Sequence, residues 1–514
     1  MEDARPNSTS KAPALFCFLS IVILGAAWLI PGTPYSAALG WIAALGLASF
    51  QNLTYRPFAI SYVASVAAHG LAFHWLFFTI RDFGGFTNFP AISIYALFLL
   101  VSALHFPIYV LFLKRMPAAL KRLGLAVPIA WIGAEFLSIR IFPWYLGHTQ
   151  IAFAELAQIA DIAGAATISF LMMWLASSVY ELLRSPSFRI SPLFPVLLLC
   201  GSYFYGKMRI GELEERPFPT QKVALIQANI SVEQKHNIKM FTTNVGRYIE
   251  LSQKVVQPGL LVVWPETVIH EWLFAGLKHA ESDPRRRLPF FDNAALLVGA
   301  LTFEDRERFF NSAIGIKAGG EIAGVYHKQI LMPFGEYTPF GDWFPWLKEV
   351  NSTVADFTAG REIRVVDLGP INGDSLGTTN VKAAPLICYE DLLPSLGRSA
   401  AQKGANLLVN LTNDAWFGDS AAPIQHHVIA SFRSIETRRA LLRATNTGLT
   451  AVVDAAGRTT ETLPKFSDGT IVTEVRLVDQ STVFTAYLGE KPWWILSIFC
   501  LVSVLFPRSR KGRR

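Results

Sequence analysis

The segment APLICYED (residues 384–391) ends an apolar, strand-like run at Cys388 and continues with Glu390 and Asp391. A thiol is a modest nucleophile until a base removes its proton, and a carboxylate in a water-poor pocket can have its pKa raised enough to act as that base. The segment therefore suggests a cysteine nucleophile beside acidic groups. The alternative is a buried and inert thiol that fills space.

The other three cysteines, Cys17, Cys200 and Cys500, fall inside long apolar stretches, where a thiol usually serves as a small apolar filler. Cys388 has no partner for a disulfide between residues 222 and 485. If this part of the chain lies in an oxidising compartment, an unpaired thiol there is either buried or kept for chemistry.

Two further segments carry groups that acyl transfer requires. The tetrahedral intermediate bears a negative oxygen, which a cation or a backbone N–H must stabilise. YHKQILMPFGEY (326–337) supplies Lys328, eight residues before Glu336, and WPET (264–267) supplies Glu266. Each residue taken singly also fits a bland interpretation, a solvated lysine or an acid at a helix N-terminus.

The elements that position these residues alternate between short β-branched runs and longer amphipathic stretches. The strands are expected at 222–230, 260–266, 295–301, 312–318, 384–390, 406–412, 449–455 and 470–475, and helices at 236–256 and 423–443. This alternation predicts an α/β domain with helices covering the sheet. Because sites in open α/β sheets gather at the carboxyl ends of strands, Glu266, Cys388 and Glu390 are expected to meet in one pocket.

Most of the apolar content lies outside this domain, in blocks long enough to cross a bilayer. The candidate spans are 14–30, 36–53, 57–80, 92–113, 124–139, 160–183, 191–207 and 492–507. A single block could be a buried core helix, but seven in a row predict a polytopic α-helical membrane domain, with about eight spans in all. The expected division is therefore 1–210 (membrane), 220–485 (α/β) and 490–514 (last span and basic tail).

The distribution of Lys and Arg predicts the orientation. The loops and the tail that lie inside when the N-terminus is cytoplasmic carry basic clusters such as Lys114–Arg115 and 508–514. Both termini are then cytoplasmic, and 222–485 lies outside. The net charge of +7 is thus a signal of topology, and it gives no support for nucleic-acid binding.

Taken together, WPET, YHKQILMPFGEY and ICYED occur in the order Glu, Lys, Cys, and this order resembles the nitrilase superfamily. A domain of this kind between a seventh and an eighth span is similar to the apolipoprotein N-acyltransferase family of Gram-negative bacteria. The likeness extends through the segments FPWYLGHTQ, ISFLMMW, QANI, NDAWFGDS and LLRATNTGLTAVV, and so covers nearly the whole chain.

The resemblance implies an αββα sandwich and a role for each residue. Glu266 would take and return the thiol proton, Lys328 would stabilise the tetrahedral intermediate, and Cys388 would carry the acyl group as a thioester. Glu336 would support the lysine and the base. The residues that follow the nucleophile, Tyr389 and Glu390, would hold its strand and pocket in place.

The resemblance also implies the reaction and its setting. The donor would be a phospholipid, with phosphatidylethanolamine expected, and the acceptor the α-amino group of the S-diacylglyceryl cysteine that begins an apolipoprotein. The enzyme would act as a monomer in the bacterial inner membrane with its catalytic domain in the periplasm. No cofactor and no metal are expected, since the histidines show no HExxH and the Cys/His spacing fits no zinc pattern.

Two features need separate mention. Where the family has a tryptophan after the first strand, QANISVEQKHN offers His236, so substrate contacts of that loop do not carry over directly. The aromatic stretch PFGDWFPWLKEV (339–350) is either an ordinary loop or, as we expect, a lid facing the membrane, because its large apolar side chains are costly to expose to water.

Two other functions remain open at this stage. In a membrane-anchored amidohydrolase of the nitrilase type, water would attack the thioester instead of an amine. A transporter or receptor with an outside binding domain would need charged residues within the spans. Glu135, near a span end, is the one clear case.

Overall fold

The chain divides into two units in the computed structural model, which describes residues 11–184, 193–283, 288–333, 335–338, 341–344, 356–370 and 379–506, without the side chains of Phe83 and His236. The first unit comprises Met1–Glu212, Ser420–Val428 and Tyr487–Arg514. The second comprises Leu213–Asp419 and Ile429–Ala486.

Apolar α-helices build the first unit. They are α1 (Lys11–Ala27), α2 (Pro34–Ala48), α3 (Pro57–Ala72), α4 (Trp75–Phe78), α5 (Asn88–Ser102), α6 (His105–Arg115), α7 (Ala118–Arg122), α8 (Ala126–Leu137), α9 (Ala154–Ala157), α10 (Ala160–Ala163), α11 (Ala166–Arg184) and α12 (Leu193–Glu215). Small residues let the helices approach closely, because a Cβ on Gly25 would lie 2.6 Å from the carbonyl oxygen of Ala68. Large apolar side chains such as Phe16, Leu97 and Phe204 point outward and are exposed, as they would be against lipid.

Two helical stretches in the described ranges are long and apolar enough to cross a bilayer, Asn88–Arg115 and Ala166–Arg184. A third is possible if Pro57–Ala72 and Trp75–Asp82, which meet at a bend of 62°, count as one broken span. Shorter apolar helices occur at Lys11–Ala27, Ala126–Leu137 and Lys491–Leu505. The expected count of about eight spans stays a prediction.

The second unit contains two β-sheets. Their strands are β1 (Thr220–Gln227), β2 (Leu261–Val263), β3 (Ile269–Phe274), β4 (Ala295–Phe303), β5 (Phe309–Ile316), β6 (Ile322–His327), β7 (Val366–Asp367), β8 (Lys382–Ile387), β9 (Leu407–Thr412), β10 (Ala440–Thr445), β11 (Ala451–Val453), β12 (Thr459–Thr462) and β13 (Gly469–Arg476). One sheet has the order β13-β1-β2-β4-β5-β6 with β3 added beside β4, and the other has the order β12-β11-β10-β9-β8-β7. The central strands β1-β2-β4 and β8-β9-β10 are parallel.

Four helices of the remaining chain follow in order: α13 (Val232–His236), α14 (Phe241–Gln253), α15 (Pro394–Gln402) and α16 (Ala422–Thr437); the last helix is α17 (Lys491–Leu505). Successive side chains of β1 point alternately to the two faces of its sheet, and the residues that each face contacts show how the layers are stacked. Val223 and Leu225 join a core that also contains Leu386 and Leu408 of the other sheet, whereas Ile226 joins a second core with residues of α14. The two sheets therefore pack face to face, with helices outside, and the predicted α/β sandwich is confirmed.

The prediction of a helix at 423–443 is wrong in its last part. Helix α16 ends at Thr437, Arg438 takes a left-handed φ of 57°, and residues 440–445 form the central strand β10. Every residue of β10 is buried, so its apolar run lacks the alternation that would have identified a strand.

The hydrogen bonds of Gln227, at the end of β1, allow a test of how much this residue stabilises the two-sheet unit. Its amide donates to the carbonyls of Pro464 and Ser467 at 2.9 and 2.7 Å, and the hydroxyls of Thr445 and Thr450 donate to its Oε1 at 3.2 and 2.6 Å. Replacing Gln227 by Leu removes these four hydrogen bonds, two of which come from buried hydroxyls, so we expect a loss of about 2–3 kcal/mol of stability. Thermal unfolding in detergent would measure it as a Tm several degrees lower.

The matched control is Gln253→Leu, because Gln253 is exposed on α14. A Tm for Gln227→Leu equal to that of this control would contradict the role assigned to Gln227.

Candidate active site

Lys328 stands at the centre of a buried cluster of charges. It follows β6, and its backbone N–H donates to the carbonyl of Asn311 on β5 at 2.9 Å. Its Nζ lies 2.8 Å from Glu336 Oε2 and 3.5 Å from Glu266 Oε1, and only 2% of its side chain is exposed. Three of the residues expected to share a site are therefore in direct contact.

Asn311 joins the two carboxylates, and sequence analysis did not identify it. Its Nδ2 donates to Glu266 Oε1 and to Glu336 Oε1, both at 2.8 Å. The backbone N–H of Met332 adds a bond to Glu336 Oε2 at 2.9 Å. The sequence signal that could have identified Asn311 is its position in the strand segment FFNSAIGI, directly after two phenylalanines. A polar side chain that is buried in a strand needs hydrogen-bond partners.

The electrostatic balance of the cluster keeps Lys328 charged. Burial by itself lowers the pKa of its ammonium, but the carboxylates of Glu336 and Glu266 outweigh this effect and raise the pKa. The result is a fixed positive charge within a low-dielectric pocket, where it acts most strongly on a nearby oxyanion.

The thiol of Cys388 responds to the same charges. Burial raises its pKa, as does the Glu266 carboxylate, whereas Lys328 and a hydrogen bond with Thr412 lower it. The net effect is a rise in the pKa, so the resting thiol is neutral, and a thiol in this state needs a base if it is to act as a nucleophile. The residue itself keeps some exposure, which leaves a route for a substrate.

The turn that carries Cys388 is strained and firmly held. Its φ of 52° lies in the left-handed region that non-glycine residues avoid. The Nδ2 of Asn410 donates to the carbonyls of Leu386 and Cys388, both at 3.0 Å, and the N–H of Ile387 donates to Glu390 Oε2 at 2.8 Å. These bonds fix the direction in which the thiol points.

Glu390 connects this turn to the Lys328 segment. Its carboxylate accepts bonds from the Tyr326 hydroxyl at 2.8 and 2.9 Å and from the backbone N–H groups of Gln329 at 2.7 Å and Ile330 at 3.2 Å. Burial raises its pKa and outweighs the bond from Ile387, the charge of Lys328 and the bonds from Gln329 and Tyr326, all of which lower it. Glu390 therefore joins the two segments that carry the thiol and the ammonium.

The remaining acid of the motif, Asp391, belongs to a different cluster. Its Oδ2 accepts a bond from Arg443 Nε at 3.3 Å, and both side chains are fully buried. Tyr389 is half-buried on the same turn. Within the described ranges, no three His, Cys, Asp or Glu side chains are grouped as they would be around a metal ion.

Two expectations fall wholly or partly outside the described residues. The side chain of His236 is not described. Of the expected lid at 339–350, only 341–344 are described, and Trp343 and Phe344 are exposed there by 77% and 50%. The lid stays a prediction.

Comparison with known proteins gives first the class and then the family. Residues 222–483 match the family model described as "Carbon-nitrogen hydrolase", so the two-sheet unit is a domain of that class. Residues 14–178 match "Apolipoprotein N-acyltransferase N-terminal domain". Among solved structures, a variant of the amidase from Nesterenkonia sp. AN1 is 20% identical over 49% of this chain and 92% of that chain, with a TM-score of 0.33, too low to support an inference.

Two relatives extend over almost the full length. The apolipoprotein N-acyltransferase of Geobacter metallireducens is 30% identical, covering 96% of this chain and 94% of the relative. That of Haemophilus ducreyi is 28% identical, covering 98% and 99%. The chain belongs to the apolipoprotein N-acyltransferase family.

The bonds of Glu390 predict the effect of a near-isosteric change. In Glu390→Gln, an NH2 group faces backbone N–H groups that need an acceptor, so we expect a loss of about 2 kcal/mol of stability and a lower Tm in detergent. We also expect slower alkylation of Cys388 by iodoacetamide, because the turn that aims the thiol loosens.

Glu461→Gln is the control, since Glu461 is exposed on β12. If Glu390→Gln keeps the Tm and the alkylation rate of that control, Glu390 does not hold the turn.

Proposed function

We propose that this protein transfers an acyl chain from a membrane phospholipid to the α-amino group of the S-diacylglyceryl cysteine that begins an apolipoprotein. The observation that carries the proposal is the buried Glu266–Lys328–Glu336 cluster. Cys388 lies close enough to it that the charges of all three residues shift the pKa of the thiol. Membership of the family, and the name its relatives bear, support the choice of donor and acceptor.

In the first step Glu266 takes the proton from the Cys388 thiol, and the sulfur attacks the ester carbonyl of the phospholipid. Lys328 stabilises the negative oxygen of the tetrahedral intermediate. The carbon–oxygen bond to glycerol then breaks, and the proton on Glu266 passes to the departing oxygen. Lysophospholipid leaves, and the acyl chain remains on Cys388 as a thioester.

In the second step the neutral α-amine of the acceptor attacks the thioester carbonyl. A carbon–nitrogen bond forms, the carbon–sulfur bond breaks, and Glu266 carries the proton of the amine back to the sulfur. Conversion of a thioester to an amide lowers the free energy, so the two reaction steps need no nucleotide and no cofactor.

Glu336 and Asn311 have supporting roles in this mechanism. Glu336 balances the charge of Lys328 from 2.8 Å, which leaves Glu266, at 3.5 Å, less tightly paired and available as the base. Asn311 holds both carboxylates, and we assign Tyr389 and Glu390 to holding the strand end and the pocket.

The proposed setting is the bacterial inner membrane. Residues 1–210 and 490–514 would form about eight spans, with both termini in the cytoplasm and the catalytic domain, 220–485, in the periplasm. Both substrates are anchored in lipid, so an enzyme in the same bilayer meets them far more often than a soluble one. Phosphatidylethanolamine is the proposed donor, and we propose that the monomer is active.

The acyl-enzyme is the decisive intermediate. We expect purified protein in detergent with phosphatidylethanolamine to gain the mass of one acyl chain within minutes, and hydroxylamine to remove it. Cys388→Ala should gain nothing, and Glu266→Gln and Lys328→Met should lose at least about 100-fold in rate. Intact mass spectrometry makes the measurement, and Cys200→Ala, at an exposed thiol of the helical unit, is the control.

Addition of a diacylglyceryl-cysteinyl peptide should then discharge the thioester and give an N-acylated peptide. No acyl adduct on folded wild-type protein would defeat the proposal. Rapid release of free fatty acid without the peptide would instead favour the amidohydrolase type of chemistry, in which water is the acceptor.

The orientation has its own test. Alkaline phosphatase, which is active only outside the cytoplasm, should be active when fused after residue 215, and green fluorescent protein fused after residue 514 should fluoresce. A phosphatase fusion that is fully expressed but has no phosphatase activity would contradict the proposed orientation.

A further inference from the structure

A second lysine, Lys235, lies in the same unit as the charge cluster and has no part in the mechanism above. It belongs to the short helix α13, which begins with a reciprocal pair of bonds between Ser231 and Gln234. The Nδ2 of Asn244 donates to the carbonyl of Gln234 at 3.0 Å. These contacts fix the backbone from which the lysine extends.

The loop before α13 is held equally firmly. The side chain of Asn446 donates to the carbonyl of Ile230 at 2.7 Å and accepts from the N–H of Ile230 at 3.0 Å. The Tyr248 hydroxyl donates to the same amide oxygen at 3.0 Å. These bonds hold the loop from which α13 and Lys235 extend, and a site residue requires such support.

The ammonium of Lys235 is turned inward, toward Glu266. Only 6% of the residue is exposed, and its Nζ donates to the backbone carbonyl of Glu266 at 3.0 Å. This carbonyl belongs to a sharp turn in which Thr267 has a φ of 49°. Gly299 packs directly against this turn, because a Cβ on Gly299 would lie only 2.6 Å from the Glu266 Cα.

The charges around Lys235 come from other elements. Burial lowers its pKa to about 8, and the negative charge of Glu266, together with that of the Cys388 sulfur when it is deprotonated, acts in the opposite direction. Among the described residues, Lys328 contacts Glu266 and Glu336, and its charge also acts on Glu390. A buried ammonium is costly unless its charge is compensated, and here the compensation comes from the Glu266 carboxylate, joined by the Cys388 sulfur when it is deprotonated.

We propose that Lys235 is a positioning residue of the acyl-transfer site, which holds Glu266 through its carbonyl and stabilises negative charge on the Cys388 sulfur. The inference deepens the proposed function, since it assigns the cation that favours the thiolate, whereas Lys328 serves the oxyanion. A lysine limited to supporting the fold would hold the carbonyl of Glu266 but would leave the reactivity of the thiol unchanged.

Alkylation of Cys388 by iodoacetamide tests the inference, because the reagent reacts with the thiolate and needs no lipid. Peptide mass spectrometry separates Cys388 from the other three cysteines. A glutamine keeps a donor for the Glu266 carbonyl but removes the charge. For Lys235→Gln we expect alkylation about 10-fold slower at pH 7, the effect of a rise of about one unit in the pKa of the thiol.

The pH dependence separates a charge effect from a structural one. Lys235 is charged below pH 8 and neutral above it, so the advantage of wild type over Lys235→Gln should be largest below pH 8 and shrink above it. Lys235→Arg keeps its charge at all these pH values, so it should match wild type at pH 7 and alkylate faster than wild type above pH 8. Lys254→Gln, at an exposed lysine just after α14, is the control.

An equal rate for Lys235→Gln and wild type at pH 7 overturns the inference, as does a loss that is constant with pH. If Lys235→Gln unfolds, which its Tm would reveal, the alkylation rates of Lys235→Arg and wild type above pH 8 still test the inference. Equal rates there overturn the inference. The proposed function fails separately, when wild type alkylates normally but forms no acyl-enzyme with phospholipid.

Discussion

The site depends on keeping ionised groups in a pocket that water barely enters. Lys328 is nearly fully buried, and it remains charged because Glu336 and Glu266 offset the loss of hydration. An uncompensated charge in this position would cost several kcal/mol, so the arrangement is stable only when each member has its partners. Asn311, which bonds to both carboxylates, keeps them at a fixed separation and limits their mutual repulsion.

The fold supplies these partners from separate parts of the chain. Glu266 follows β2 in one sheet, Lys328 follows β6 at the end of the strand order of that sheet, and Cys388 follows β8 in the other sheet. Only face-to-face packing of the two sheets brings the three together. The hydrogen bonds of Glu390 then join the thiol turn to the lysine segment, so the geometry of the site does not rest on packing of apolar side chains alone.

The sequence indicated the ends of strands better than their interiors. Glu266 and Cys388 were identifiable because each stands where an apolar run stops and a polar group begins, whereas Lys328 was identified from the segment YHKQILMPFGEY and from the need for a cation. Asn311 and Lys235 were not, since the first lies within a strand and the second on a short helix whose orientation depends on contacts with residues far along the chain. Strand β10 was mistaken for helix because burial on both faces removes the alternation on which such a prediction relies. The number of spans depends on a bilayer that the sequence describes only through length and hydropathy.

The left-handed backbone at Cys388 has a consequence for stability. An L-residue with a side chain carries a strain of about 1–2 kcal/mol in that conformation, from which glycine is exempt. A mutation that places glycine there removes both the strain and the nucleophile of the proposed mechanism, at the cost of the contacts that the Cys388 side chain makes with the core. Stability and reactivity therefore oppose each other at this position.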